Sequence, residues 1–395
     1  MLKKFICGLA IVLLMPVYGM AINLTDYEIP ESFSRDLYLN GAFNFSDGNQ
    51  DSSSYNGFAS ANFKSRYSSI PRVWSLNMDG IYEVENGSEA GGDSDDGYNF
   101  YASSFLDNYY QETKFFGYGG LDFGFRKLMG ATSADDPYST IQVGVGYGRV
   151  YDATPLAQAL RIVEDLRNYD VLSRDLTDAG YVKLAQIIDK KEEFETKYSA
   201  SEYKKYWYEA MGEVLKEDGA LESAGLNALG VIRIQEILDE ERFSTRNHGW
   251  LVRGGVGYIL SNYIDDTDDD PTLNAAFEYY RPLSYKLQFN EIFQYSTVLS
   301  DHVTHNIQNT LSLTYEISNK IDWENSHVLA LTLPTEDGLK DQIANTFSTG
   351  FYYYLTNTVS ASATLSLSHL DDNIDDNGND DVESRIFLGI RYRLL

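Results

Sequence analysis

Apolar and polar residues alternate in the last part of the chain. Between Glu383 and Leu395 every second position is apolar, and all but one of the intervening positions carry arginine or a small residue. The apolar set consists of Ile386, Leu388, Ile390, Tyr392 and Leu394. Because successive side chains of a β-strand point to opposite faces, this period of two predicts a strand with one apolar face.

The same alternation recurs along most of the chain. Toward the C-terminus it predicts eight strands, at about 249–260, 272–281, 285–296, 303–317, 321–333, 342–355, 358–369 and 383–394. Toward the N-terminus it predicts six, at about 35–46, 55–67, 72–85, 98–112, 115–128 and 140–151. A tilted strand needs roughly 9–11 residues to cross a bilayer, and an even number of strands suits a closed antiparallel barrel.

The period changes between residues 152 and 247. Thr154 and Pro155 form a typical helix start, with proline at the first helical position. Apolar residues then recur at spacings of three and four, which predicts a helix there and further helices at about 178–198, 201–217 and 220–242. We therefore expect a helical insert at 152–247 between the sixth and seventh strands.

The N-terminal residues have the pattern of a secretory signal peptide. Lys3 and Lys4 precede an uncharged apolar run that ends at Val17, and Gly19-Met20-Ala21 has the form of a cleavage site. Residues 1–21 would be removed, and 22–34 would form an N-terminal periplasmic segment. The only cysteine is Cys7, so the mature domain is expected to be stable without disulfides.

These features together resemble the Gram-negative outer-membrane β-barrel proteins, in particular the porin-like class. The terminal pattern Gly389-x-x-Tyr392-x-Leu394 is similar to the signal read by the barrel-assembly machinery. It departs from the family pattern because it lacks a terminal phenylalanine. The resemblance implies a transmembrane antiparallel up-and-down barrel in the outer membrane. It also implies outer-membrane lipid, lipopolysaccharide and the assembly machinery as partners.

Connections alternate between short and long, and the long ones are acidic. Outer-membrane barrels have short periplasmic turns and longer outside loops. The sequence therefore predicts an insert on the periplasmic side and acidic loops outside. The net charge of −28 makes nucleic acid an unsuitable partner. The acidic loops are either solvated or surface sites for Ca²⁺ or Mg²⁺, whose preferred ligands are oxygen atoms.

Polar positions of the C-terminal strands predict the lining of a lumen. The set consists of Gln288, Asn290, Gln294, Asn306, Gln308, Thr310 and Ser312. An anion channel would be expected to carry basic residues here. We therefore expect a channel for neutral or cationic small solutes or sugars, gated or capped by the insert. The alternative is a structural or partner-binding barrel, whose residues 152–247 dock periplasmic machinery for envelope assembly or polymer export.

Glycines on strands beside the insert also fall at lumen positions, among them Gly144, Gly146 and Gly148. A wall without side chains would admit the insert as a plug, or it would permit strong coiling of the sheet. No nucleophile, phosphate-binding or zinc-hydrolase motif occurs in the sequence. We therefore expect neither enzymatic activity nor a cofactor, and the sequence assigns no protein ligands to a metal.

Overall fold

The structure is a computed structural model. It describes residues 22–47, 53–87, 94–199, 201–221, 225–263, 269–300, 303–336, 338–356, 358–374 and 381–394. The expected signal peptide at 1–21 lies outside these residues. No helix in this described part of the chain is both long and apolar enough to cross a membrane.

Fourteen antiparallel strands form a closed barrel in which each strand pairs with its sequence neighbours. The predicted fold class is confirmed. The first seven strands are β1 (Ser32–Ser46), β2 (Ser54–Ser68), β3 (Arg72–Asn86), β4 (Asp95–Tyr109), β5 (Phe115–Lys127), β6 (Tyr138–Asp152) and β7 (Asn247–Ser261). The others are β8 (Pro271–Ser284), β9 (Leu287–Val298), β10 (Thr304–Ser318), β11 (Ile321–Pro334), β12 (Gln342–Tyr354), β13 (Val359–Asp371) and β14 (Glu383–Arg393).

Several predicted strand boundaries differ from the observed ones, by up to three residues, as β4 and β1 show. The strand expected at 98–112 begins and ends three residues earlier, at Asp95–Tyr109, because aromatic residues occupy both of its faces and give no clear period. The segment expected to be non-strand up to residue 34 already enters β1 at Ser32, since Ser32–Asp36 pairs with Lys64–Ser68 beyond the end of β14.

The alternation predicted for β6 is visible in its exposure. Ile141, Val143 and Val145 are half exposed on the outer surface, whereas Gly144 and Gly146 face neighbouring inward side chains. The short turns, such as those after Ser68 and Ser318, lie at the same end of the barrel as the insert. This end is therefore the periplasmic one.

The barrel closes through a short seam. Strands β1 and β14 pair only from Tyr38 opposite Arg393 to Gly41 opposite Ile390. By contrast, β1 pairs with β2 along its whole length. Toward the outer end, residues 42–46 and 383–389 consequently share no ladder with each other.

The insert contains five α-helices: α1 (Thr154–Asn168), α2 (Asp178–Asp189), α3 (Lys191–Tyr198), α4 (Tyr203–Glu217) and α5 (Ala228–Gln235). A π-helical turn, Glu236–Glu240, continues α5. The helix predicted at 178–198 is divided at Lys190. The helix predicted at 220–242 starts later, at Ala228, because Leu221 instead forms a β-bridge with Leu172. Residues 222–224 lie outside the described chain.

The segment before β1 belongs to the core of the insert. Ile22, Leu24 and Tyr27 are at least 95% buried in the same apolar cluster as the helices. His248 at the start of β7 bonds the carbonyl oxygen of Tyr27 at 2.9 Å. We call the resulting unit, residues 22–31 together with 153–246, the cap.

Candidate functional site: lumen wall and periplasmic cap

Uncharged polar side chains occupy the inward positions of β9 and β10 and bond to one another. The Gln288 amide donates to the side-chain oxygen of Asn290 at 2.7 Å, and Asn290 donates to the Ser312 hydroxyl at 3.1 Å. Gln308 donates weakly to Thr310 at 3.5 Å. These bonds run along and across strands, and they order the polar surface without a charge.

The remaining predicted lumen residues differ in exposure. Gln294 and Asn306 are exposed, as is Gln308, whereas Gln288 is only 2% exposed. Asn306 also accepts a weak bond from Thr332 of β11 at 3.4 Å. The polar surface is thus accessible toward the outer half of β9 and β10, and it is covered near the periplasmic end.

The adjoining wall, from β4 to β8, carries an aromatic–arginine cluster that the sequence did not predict. The guanidinium carbon of Arg253 lies 5.1 Å from the ring centre of Phe105 and 5.6 Å from that of Tyr118. Its Nη2 atom forms ion pairs with Asp107 at 3.4 Å and Glu278 at 3.3 Å. The charge of Arg253 is therefore largely neutralised within the wall. Such clusters join residues far apart in the chain, so period and spacing do not reveal them.

The predicted lumen glycines make room for this cluster. A side chain at Gly144 would collide with Tyr118, and one at Gly146 with Phe116. Gly148 has a φ of +111°, which non-glycine residues rarely adopt. The neighbours found at these three positions are barrel residues, so the hypothesis that the glycines admit the insert into the lumen is not supported.

A buried cluster of charges anchors the cap to the barrel. Arg246 donates to Glu316 of β10 at 2.7 Å, and their exposures are 0% and 1%. Arg161 of α1 forms a second ion pair with Glu316. The backbone N–H of Ser244 donates to the same carboxylate at 3.0 Å, and its hydroxyl donates to Asp322 of β11 at 2.9 Å. One barrel carboxylate thus holds three groups of the cap.

Other anchors lie around the periplasmic mouth. Three side-chain contacts join Arg242 to Tyr38, Glu241 to Asn319 and Glu164 to Tyr285. The barrel partners belong to β1, the β10–β11 turn and the β8–β9 turn. The cap therefore spans the mouth from one side to the other.

Arg246 and Asp189 are among the cap residues whose pKa values are shifted by their surroundings. Burial lowers the pKa of the Arg246 guanidinium, an effect that the adjacent Glu316 carboxylate opposes. At the end of α2, burial raises the pKa of Asp189 to about 7, and the nearby carboxylates Asp152 and Glu193 raise it further. Asp189 therefore changes charge near neutral pH, whereas an ordinary carboxylate does so near pH 4.

The predicted assembly residues lie at the closing seam. Tyr392 is on the outer face opposite Leu39 of β1, and the N–H of Leu394 donates to the carbonyl of Leu37 at 2.8 Å. Gly389 faces the ring of Phe387. Their role as a signal for the assembly machinery stays a prediction.

The acidic loops are only partly described, because 264–268 and 375–380 lie outside the described residues, as does His302. Within the described ranges, no group of three or more His, Cys, Asp or Glu side chains is placed to hold a metal ion. Surface binding of Ca²⁺ or Mg²⁺ stays a prediction.

The outer surface has the composition of a membrane-spanning barrel. Aliphatic side chains are exposed along the strands, and aromatic side chains are exposed near the periplasmic ends. The aromatic set includes Tyr67, Trp74, Tyr147, Trp250, Tyr315 and Tyr353. A closed barrel with an apolar band and an aromatic girdle is the arrangement that spans bacterial outer membranes. The chain is an outer-membrane β-barrel protein.

Solved structures with a similar outline include OmpT of Vibrio cholerae in a loop-deletion form, with 9% identity and a TM-score of 0.32, covering 92% of this chain and 100% of that one. A BenF-like porin from Pseudomonas fluorescens has 8% identity and a TM-score of 0.32, covering 92% and 97%. CdiB from Escherichia coli has 8% identity and a TM-score of 0.40, covering 93% and 63%. No family model and no curated protein sequence matches the chain.

Proposed function

We propose that the protein is a non-enzymatic outer-membrane channel for small neutral or cationic solutes, such as sugars, and that the cap gates its periplasmic mouth. The proposal rests on two features that occur together. Uncharged polar side chains line the wall at β9 and β10, and a cap is held across the periplasmic mouth. A polar, hydrated lining suits solute passage, whereas a merely structural barrel needs none.

Two inward arginines support the assignment to neutral or cationic solutes. Arg253 is paired with Asp107 and Glu278, and Arg393 is paired with Asp36 at 2.7 Å. A guanidinium neutralised in this way has little capacity to attract a phosphate or carboxylate from solution. These two positions therefore offer an anion no unpaired basic charge.

Gating requires the cap to move away from its anchors. The contact between Glu241 of the cap and Asn319 of the β10–β11 turn, 2.7 Å between side-chain atoms, offers a place to prevent this. In Glu241→Cys/Asn319→Cys, a short cleavable bis-maleimide should link cap and barrel, because Cys7 is the only native cysteine and lies in the segment expected to be removed.

The measurement is single-channel conductance in planar bilayers before and after linking. We expect opening events to disappear in the linked protein and to return when the linker is cleaved. The matched control is Arg167→Cys/Asp175→Cys, which links two cap residues that now form an exposed ion pair at 2.9 Å. Equal conductance of the linked and unlinked Glu241/Asn319 protein would contradict gating by the cap.

The second candidate function is docking of periplasmic machinery by the cap. Helix α3 favours it, because this helix buries no residue and carries Lys191, Glu192 and Glu193 in its first turn. In that case, linking the cap should leave conductance unchanged, while a photoreactive group on α3 should capture a periplasmic protein.

A further inference from the structure

The outer surface of β9–β11 carries polar side chains near the strand centres. Glu291 of β9 lies opposite Leu311 of β10, which in turn lies opposite His327 of β11. Asn309 and Asn325 occupy the same outer face, two residues along their strands from Leu311 and His327. Glu291 and Asn309 alternate with the lumen residues of β9 and β10, and His327 and Asn325 pair with the outward residues Leu311 and Leu313. These four side chains therefore point away from the lumen.

The outer face of β6 and β7, a few strands away around the barrel, has no such feature. At the centres of β6 and β7, the outer face carries Ile141, Val143, Val145, Val252 and Val256, which are 43–60% exposed. This is the composition expected against lipid tails, which form no hydrogen bonds. The polar set of β9–β11 is therefore a local departure from the pattern and not a general property of this barrel.

Hydrogen bonds within the chain leave this set unsatisfied. Thr349 of β12 donates to the Oδ1 atom of Asn325 at 2.8 Å, but the Nδ2 atom of Asn325 is buried without a partner. The Oδ1 atom of Asn309 is also buried and unpartnered. Glu291 and His327 form no hydrogen bond or ion pair with any residue that the structure describes. The two amide atoms are out of reach of lipid and of another molecule, whereas Glu291 and His327 are partly exposed on this face, where an unpaired polar group is unfavourable in lipid.

We propose that this face binds a second copy of the same chain. The carboxylate of Glu291 lies on β9 and the imidazole of His327 lies on β11, and both side chains are partly exposed. A two-fold axis along the membrane normal, beside β10, would bring the β9 side of one copy against the β11 side of the other. The carboxylate of each subunit then meets the imidazole of its partner, which is the self-complementary arrangement of an isologous dimer.

Other occupants fit this pattern less well. An acyl chain offers no hydrogen bonds, so it leaves the Glu291 carboxylate and the His327 imidazole unpaired. A head-to-tail ring would need a second complementary surface, and the aliphatic outer face of β6 and β7 does not provide one. A different membrane protein is an outcome that the experiment separates by mass.

The test uses cysteine crosslinking of the full-length protein in native outer membranes. In Leu311→Cys, the two copies should place their thiols close together beside the axis. A short bis-maleimide should then give a band of twice the mass, at least tenfold stronger than in the control Val143→Cys on the outer face of β6. Dimer yields no higher than in the control, or a product of another mass, would overturn the proposal.

A second measurement tests the polar groups themselves. Adding Glu291→Leu or His327→Leu to Leu311→Cys should lower the dimer yield at least tenfold among molecules that show heat-modifiable, folded migration. Unchanged crosslinking in either variant would mean that these groups do not form the contact. Where folding is poor, co-purification of two differently tagged wild-type copies decides instead, and its absence would refute the dimer.

Discussion

The strongest prediction about the cap concerns the buried ion pair between Arg246 and Glu316. In Glu316→Gln the carboxylate becomes a neutral amide of the same shape, while Arg246 and Arg161 stay buried at 0% and 4% exposure. Removing one partner of a buried ion pair typically costs about 3–5 kcal/mol, because the other charge is left uncompensated. The barrel ladders are untouched, so the loss should fall on the docking of the cap.

This loss of free energy corresponds to a large increase in the fraction of molecules whose cap is undocked. A loss of about 3–5 kcal/mol shifts the equilibrium between docked and undocked cap by roughly two to three and a half powers of ten. Limited proteolysis in detergent reports this directly, because the linkers around the cap become accessible when it undocks. We expect cleavage near the cap to accelerate by about a hundredfold or more, while the barrel stays resistant and heat-modifiable.

The matched control is Arg167→Ala, which breaks an ion pair whose side chains are 45% and 52% exposed. Exposed pairs contribute about 0–1 kcal/mol, so cleavage should change less than about fivefold. Similar cleavage rates in Glu316→Gln and Arg167→Ala would refute the view that buried charge holds the cap. Partial recovery in Glu316→Leu combined with Arg246→Met and Arg161→Met would support it.

Three further predictions concern the wall, the cap and the seam. Leu313→Arg on the outer face should impair assembly by roughly 2–4 kcal/mol, whereas Ser312→Arg on the lumen face should fold and shift ion selectivity toward anions, as reversal potentials measure. Because the folded pKa of Asp189 is about 7, stability should fall as pH rises from about 4 through 7, by at most roughly 4 kcal/mol. Asp189→Asn should flatten this dependence in hydrogen exchange of the cap at pH 5 and 8. Seam-facing amides of 42–46 and 383–389 should exchange faster than those facing β2 and β13, and equal protection would contradict the short seam.

The strand pattern was predictable because each strand meets two different solvents. The lipid face and the lumen face impose a period of two that survives in a single sequence, as in β6 and β14. Where both faces are aromatic, as in β4, the period vanishes and the boundary prediction was wrong by three residues. Helices α1, α2, α4 and α5 of the insert were predictable for a similar reason, since each buries one face against its neighbours, whereas α3 buries no residue.

The contacts that hold the site were not predictable. Glu316 stands at an ordinary inward position, and nothing in the sequence shows that Arg161 and Arg246 reach it from the cap. The apolar residues Ile22 and Leu24 precede the first strand and gave no sign of joining the insert. By contrast, Glu291 interrupts an outward series between Phe289 and Phe293, a signal that the sequence contained and that alternation alone did not explain.

The distribution of buried charge supports a cap that moves. A cap fixed permanently to the barrel could be held at least as firmly by apolar packing, because desolvation offsets much of the attraction in a buried ion pair. The cap instead keeps its apolar residues within its own core and meets the barrel mainly through Arg161, Arg242 and Arg246. When such an interface opens, the separated charges regain water, whereas exposed apolar surface would not. An interface of this kind supports the proposal that the cap undocks as a folded unit, which a gate requires.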